Sequence, residues 1–118
     1  MRVSNIKALS PTVTPWKNGQ YLHAGAWTAL DTVSELDGAP VRTVKHYATE
    51  MVEMVDNYEI GAWWFGPLST GRGSVSDQNG CNILAAELGS ALRMRRDAKG
   101  GGARFVNTVH GNTVTTRD

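Results

Sequence analysis

Apolar residues recur every three or four positions from Val41 to Tyr58: Val41, Val44, Ala48, Met51, Val55 and Tyr58, with Val52 and Met54 widening the stripe. Side chains at that spacing share one helical face, so the pattern predicts an amphipathic helix over residues 40–58. Pro40 suits its first turn, where the missing N–H would have no partner anyway. Arg42, Lys45 and His46 then fall near the positive end of the helix dipole, an order that favours a nearby anion. Upstream, Ala26, Leu30, Val33 and Leu36 repeat the spacing beside Trp27, and Asp37-Gly38 supplies a stop. A strand there would put Asp31 and Glu35 on the face of Trp27 and Val33, so a short helix is the better fit.

After Asn57 the period changes. Residues 59–66 are apolar on both faces, which predicts a central strand, with Trp63 and Phe65 on one side and Trp64 on the other. Pro67 ends it, and residues 68–74 are loop. Ser74-Val75-Ser76-Asp77 approaches a capping box, with Ser76 or Asp77 as other possible caps. A helix should follow, burying Cys81, Leu84, Ala85, Leu88, Ala91 and Leu92 and ended or weakened at Gly89. Leu92 and Met94 then alternate with Arg93 and Arg95 as in a strand. A Gly-rich turn spans 97–102, a strand Arg104 to Val109, a tight turn His110 to Asn112, and a last short strand 113–116.

At the other end, residues 1–11 alternate weakly, as a short strand or an ordered arm. Lys17-Asn18-Gly19 between TVTPW and QYLHAG is a hairpin signal, with Pro15 confining the first strand to an edge. The expectation is an α+β fold, a single domain over 1–118. Its small antiparallel or mixed sheet would hold four to six strands, drawn from both ends of the chain and packed with two to three helices.

Composition narrows the function classes. The 118 residues are 41% hydrophobic and 19% charged, with formal net charge +1. No global charge draws the chain to nucleic acid or an anionic membrane, so any such affinity must come from local clusters. One cysteine, Cys81, leaves no internal disulfide and no multi-cysteine zinc site. Neither a signal peptide nor a membrane-length apolar run is evident, and a cytoplasmic protein with no membrane partner is expected. His23, His46 and His110 lack metal-ligand spacing, so neither metal nor cofactor is expected.

The candidate site is the Ser/Gly-rich loop and the helix start after it. Ser69, Thr70, Arg72, Ser74, Ser76, Asp77 and Gln78 fall there, with Trp64 on the preceding strand. Glycines let amides converge on an anion and a helix N-terminus attracts one, but no Gly-Lys-Ser/Thr closes the loop as in a nucleotide-binding P-loop. A turn-rich connection explains the same glycines. Cys81 falls in the helix's first turn, where the dipole lowers a thiol pKa, yet also on the apolar face, which favours an inert buried thiol. The second candidate surface is the basic hairpin carrying Arg93, Arg95, Arg96 and Arg104, with Lys99, which could track a phosphate backbone or stand as a solvated hairpin.

The run Gly73-Ser74-Val75-Ser76-Asp77-Gln78-Asn79-Gly80-Cys81-Asn82 precedes an apolar helix, a basic segment and Gly100-Gly101-Gly102. With Arg42-Thr43-Val44-Lys45-His46-Tyr47 upstream, it resembles small accessory proteins of actinobacterial phages, which share a Ser-x-Ser-Asp-Gln motif. The resemblance carries no catalytic residues. It implies a non-enzymatic binding module in the host cytoplasm, acting on a host protein or nucleic acid through the loop and the basic hairpin. Two alternatives stay open. One is a small-ligand or anion-binding protein, or an enzyme, using residues 66–80 and the helix N-terminus with Asp77 or Cys81 reactive. The other is a self-associating structural module, a homodimer paired through exposed aromatics.

Overall fold

The computed structural model describes residues 1–97 and 102–116. It is mostly sheet. Five strands, β1 (Tyr21–Ala24), β2 (Trp27–Val33), β3 (Pro40–His46), β4 (Thr49–Asn57) and β5 (Ala62–Pro67), pair antiparallel in sequence order. The single α-helix among the described residues, α1 (Val75–Glu87), follows. A second antiparallel sheet, β6 (Leu92–Arg96), β7 (Ala103–Asn107) and β8 (Thr113–Val114), closes the chain. The α+β class holds, but among the described residues with eight strands in two sheets and fewer helices than the sequence predicts.

Both predicted helices before residue 59 are strands. The residues expected as one long helix form the β3–β4 hairpin, turning at Tyr47-Ala48. Their composition fits strands: Val41, Thr43, Val44, Thr49, Val52 and Val55 are β-branched and suit a pleated surface. The alternation is hidden by a bulge. Val44 pairs with Val52 but Lys45 with Glu50, so Met51 is an extra residue, and Met51 and Val52 are both buried. With no helix there, the cation order at 42–46 meets no dipole, and Arg42 lies in the core.

β2 is the strand that polar placement argued against. Asp31 does share the buried face with Trp27 and Ala29. Arg42 stands directly opposite on β3, fully buried, and neutralises it. The guanidinium also donates to the carbonyls of Leu9 and Thr14, at 3.0 and 2.8 Å. Residues 12–16 therefore run as turns and irregular chain against this pair, and the expected first strand of an N-terminal hairpin is absent. The turn at Lys17–Gly19 is present, with Gly19 at φ +82. The N-terminus is an arm with a bridge between Arg2 and His23 and a 3-10 helix over Ile6–Leu9.

Among the described residues β5 pairs only with β4, so it is an edge strand and not a central one. Its aromatics divide as the alternation predicts: Phe65 is buried, Trp63 half-buried, and Trp64 48% exposed on the other face. The inner face of the first sheet, α1 and the second sheet share one core, where Val44, Val52, Met54 and Phe65 meet Leu84, Met94 and Phe105. Burying a side chain such as Phe105 contributes roughly 1.5–3 kcal/mol. Three strands stand at the C-terminal end as expected, with Met94 opposite Phe105 on the buried side, but β7 stops at Asn107 short of the expected Val109, the turn takes residues 108–110, and β8 stops at Val114. Lys99 and most of its turn lie outside the described residues.

Candidate functional site

The start of α1 gathers the loop's polar groups. Ser74 is the N-cap, in extended geometry, and its Oγ accepts from the Asp77 amide at 3.0 Å. Asp77 Oδ2 accepts in return from the amides of Ser74 and Arg72, each at 3.1 Å. That is the capping box read from Ser74-x-x-Asp77.

The other carboxylate oxygen faces a residue from the end of β3. His46 Nδ1–H donates to Asp77 Oδ1 at 2.6 Å, with both side chains nearly sealed from solvent. With Nδ1 as donor, the neutral form of the ring presents Nε2 as an acceptor. Ser76 Oγ lies 3.4 Å from that Nε2, on the solvent side. Burial works against the Asp77 charge, but the hydrogen bonds from His46 and Ser74 outweigh it and hold the carboxyl below its ordinary value.

The imidazole is clamped. Trp27, its register partner on β2, stacks on one face with ring centroids 4.2 Å apart and planes 13° from parallel. Tyr47 lies near the ring as well, with centroids 4.6 Å apart. The indole fits only because α1 has a glycine beneath it: a Cβ on Gly80 would sit 2.1 Å from the Trp27 ring.

A cleft of about 410 Å³ opens beside this network, between the β3–β4 turn and the loop before α1. His46, Tyr47, Thr49, Arg72, Ser74 and Asp77 line it. The Arg72 side chain is exposed and makes no ion pair among the described residues.

The remaining predicted site residues separate into those bound into the scaffold and those left outward. Ser69 is buried, its Oγ accepting from the Gly71 amide at 2.9 Å, and the Thr70 carbonyl accepts from the Gly73 amide. Gln78 Oε1 accepts from the Arg96 amide at 3.1 Å, and Arg96 Nε donates to the Gly73 carbonyl at 2.8 Å. The basic hairpin thus reaches the loop, joined to it by the Arg96 amide and Nε. Arg93 donates to the carbonyls of Ser90 and Leu92. Arg104 pairs with Asp97, and Arg95 stands directly across from Arg104 in the β6–β7 register. Trp64 is not brought to the loop; it lines a separate depression with Val55 and Tyr58.

Cys81 is fully buried, and burial together with the negative charge of Asp77 pushes its thiol up to about 12. Its place near the helix start does not lower it, and the reading with a reactive Cys81 falls. His46 and Tyr47 are the participants sequence reasoning missed. No spacing links His46 to Asp77, 31 positions on. The available signal was parity: on a strand, Arg42, Val44 and His46 share a face, and two polar residues there call for buried partners.

Among the described residues no helix is long and apolar enough to cross a membrane. No protein-family model, curated protein or solved structure matches the chain. Function is therefore read from the geometry.

Proposed function

We propose that the chain is a small-ligand-binding module, and that the cleft between the β3–β4 turn and the 71–74 loop takes a molecule carrying a planar group and an anionic group. The observation that carries this reading is Tyr47. Alone among the described non-glycine residues it has a positive φ, +55°. Its side chain is 75% exposed all the same. Left-handed backbone costs a residue with a side chain about 1–3 kcal/mol, and such strain gathers at sites of function. A glycine would make this turn without strain; a tyrosine sets a phenol at the mouth of the cleft. Arg72 adds a forked, unpaired donor suited to a carboxylate or phosphate. The Asp77 charge beside it is already held by three donors.

Titration with benzoate, phenyl phosphate and inorganic phosphate, followed by amide chemical shifts, tests it. Phenyl phosphate should bind best, moving the amides of residues 46–49 and 71–74. Tyr47→Gly should raise stability by about 1 kcal/mol through relief of strain and weaken binding. Arg72→Ala should weaken it about tenfold, or about 1.4 kcal/mol. Shifts scattered over the surface at millimolar phenyl phosphate, or none, would sink the reading.

A second reading keeps the phage-type accessory role on host nucleic acid. It is favoured by Arg95 and Arg104 standing opposite each other on the solvent face of β6–β7, with Arg93 along the same strand. Asp97 already offsets Arg104, so Arg95 is the charge that faces a like one with no ion pair of its own among the described residues. Binding to a single-stranded oligonucleotide should then weaken steeply with salt. A flat salt titration removes it.

A further inference from the structure

We propose that Ser76 is a nucleophile, with His46 as its general base and Asp77 as the positioning residue, and that the first turn of α1 transfers acyl groups from esters with a small apolar acyl chain. The hydrogen bonds run in the order such chemistry needs. Asp77 Oδ1 accepts from His46 Nδ1 at 2.6 Å, which in the neutral ring makes Nε2 the acceptor, 3.4 Å from Ser76 Oγ. A nucleophile, a base within reach, and a third group orienting the base make an activated hydroxyl. Bonds of this kind are commonly long before substrate arrives and tighten around it.

Two further features give the serine a substrate. The amides of Val75 and Ser76 stand in the first turn of α1, where an α-helix offers them no internal acceptor. They can donate to the oxyanion that forms when a carbonyl is attacked. Ser76 also borders an apolar depression of about 470 Å³ with Ile6, Trp27, Val75 and Ile83, distinct from the cleft beside Tyr47 and Arg72. Ile83 and Val75 are exposed there, at 39% and 51%. His46 and Asp77 also line that cleft, but Ser76 and the acyl depression do not, so the inference stands whether or not the cleft takes a ligand.

The step balances. Ser76 Oγ bonds to the ester carbonyl carbon as its proton passes to His46 Nε2. The tetrahedral adduct breaks its bond to the alcohol oxygen, which takes that proton from His46 and leaves as the alcohol. Water then attacks the acyl-serine, giving a proton to His46. The carboxylic acid departs and Ser76 Oγ recovers the proton.

The test is labelling by an alkyl fluorophosphonate, mapped by mass spectrometry, beside hydrolysis of 4-nitrophenyl butyrate. The label should fall on Ser76 of the native protein and vanish on denaturation. Ser76→Ala should abolish both readouts with an unchanged thermal midpoint, because the side chain is exposed and carries no contact besides His46 among those described. His46→Gln should slow hydrolysis at least a hundredfold, the usual worth of a positioned base. Native protein that takes no label at Ser76, or Ser76→Ala protein that hydrolyses the butyrate as fast as the parent, overturns the proposal.

Discussion

Asp31 and Arg42 face each other across β2 and β3 in a two-pronged contact, Nε to Oδ1 at 2.6 Å and Nη2 to Oδ2 at 2.9 Å, and neither side chain reaches solvent. The rest of the pair's capacity goes to the N-terminal arm. Arg42 donates to the Leu9 and Thr14 carbonyls, while Asp31 Oδ2 accepts from the Lys17 amide and Gln20 Nε2. Among the described residues no buried side-chain polar atom lacks a partner.

Removing one member leaves the other charged, buried and alone. Arg42→Met should cost about 3–5 kcal/mol, whereas the Asp31→Leu, Arg42→Met double variant should regain much of that. Urea unfolding of the two variants checks it. A single-variant cost under about 1 kcal/mol would show a pair that water already reaches.

Gly80→Ala sets two effects against each other. Helix propensity favours alanine by about 1 kcal/mol. The new methyl would sit 2.1 Å from the Trp27 ring, which is itself clamped on His46. Overpacking of that kind costs about 1–3 kcal/mol, so net destabilisation is expected, with a changed near-ultraviolet tryptophan signal. A more stable variant would mean that the indole moves freely.

Acid should unfold the protein through two carboxyls. Burial opposes the charge of each, but hydrogen bonds from Arg42 and the Lys17 amide to Asp31, and from His46 and Ser74 to Asp77, hold both below the ordinary 3.8. Each therefore adds stability that is whole above that value. It drains as pH falls through the lowered one, since the unfolded chain takes up protons first. The urea midpoint should be level from pH 7 to about 5 and fall below pH 4. Asp77→Asn should flatten part of that fall; an identical slope in the variant would remove Asp77 from the account.

Cys81 should resist thiol reagents in the native state, being fully buried with its thiol pushed up to about 12. Modification by an aromatic disulfide should track global unfolding and accelerate with denaturant. Rapid reaction in buffer would contradict the packing of α1.

The parts of the fold legible in sequence are those decided locally. Ser74-x-x-Asp77 announced the cap of α1, Gly89 its end, and Leu92-Arg93-Met94-Arg95 the alternation of β6. The β2–β4 meander was hidden because its deciding partners are remote. Asp31 on a core face reads as an error until Arg42 is placed opposite it. The extra residue Met51 breaks the two-residue period, and the turn at Tyr47-Ala48 carries neither Asn nor Gly. Of the site, the loop and Ser76-Asp77 were in view. His46 was not, because a pairing across 31 positions is set by the sheet and leaves no mark in spacing. The arginine hairpin was correctly placed, but Arg93, Arg96 and Arg104 each commit a side-chain nitrogen within the fold.

β1 to β5 stand side by side in the order in which a ribosome delivers them. Each strand can pair with a neighbour that has just emerged, so little loop entropy opposes the sheet and it can zip from one end. Residues 9–14 follow a different schedule. Synthesised before any strand, the Leu9 and Thr14 carbonyls meet their donor only once Arg42 has come into register with Asp31. While Arg2 bridges to His23 on the first strand, this stretch behind it is thus made early and fastened late, waiting on the third strand.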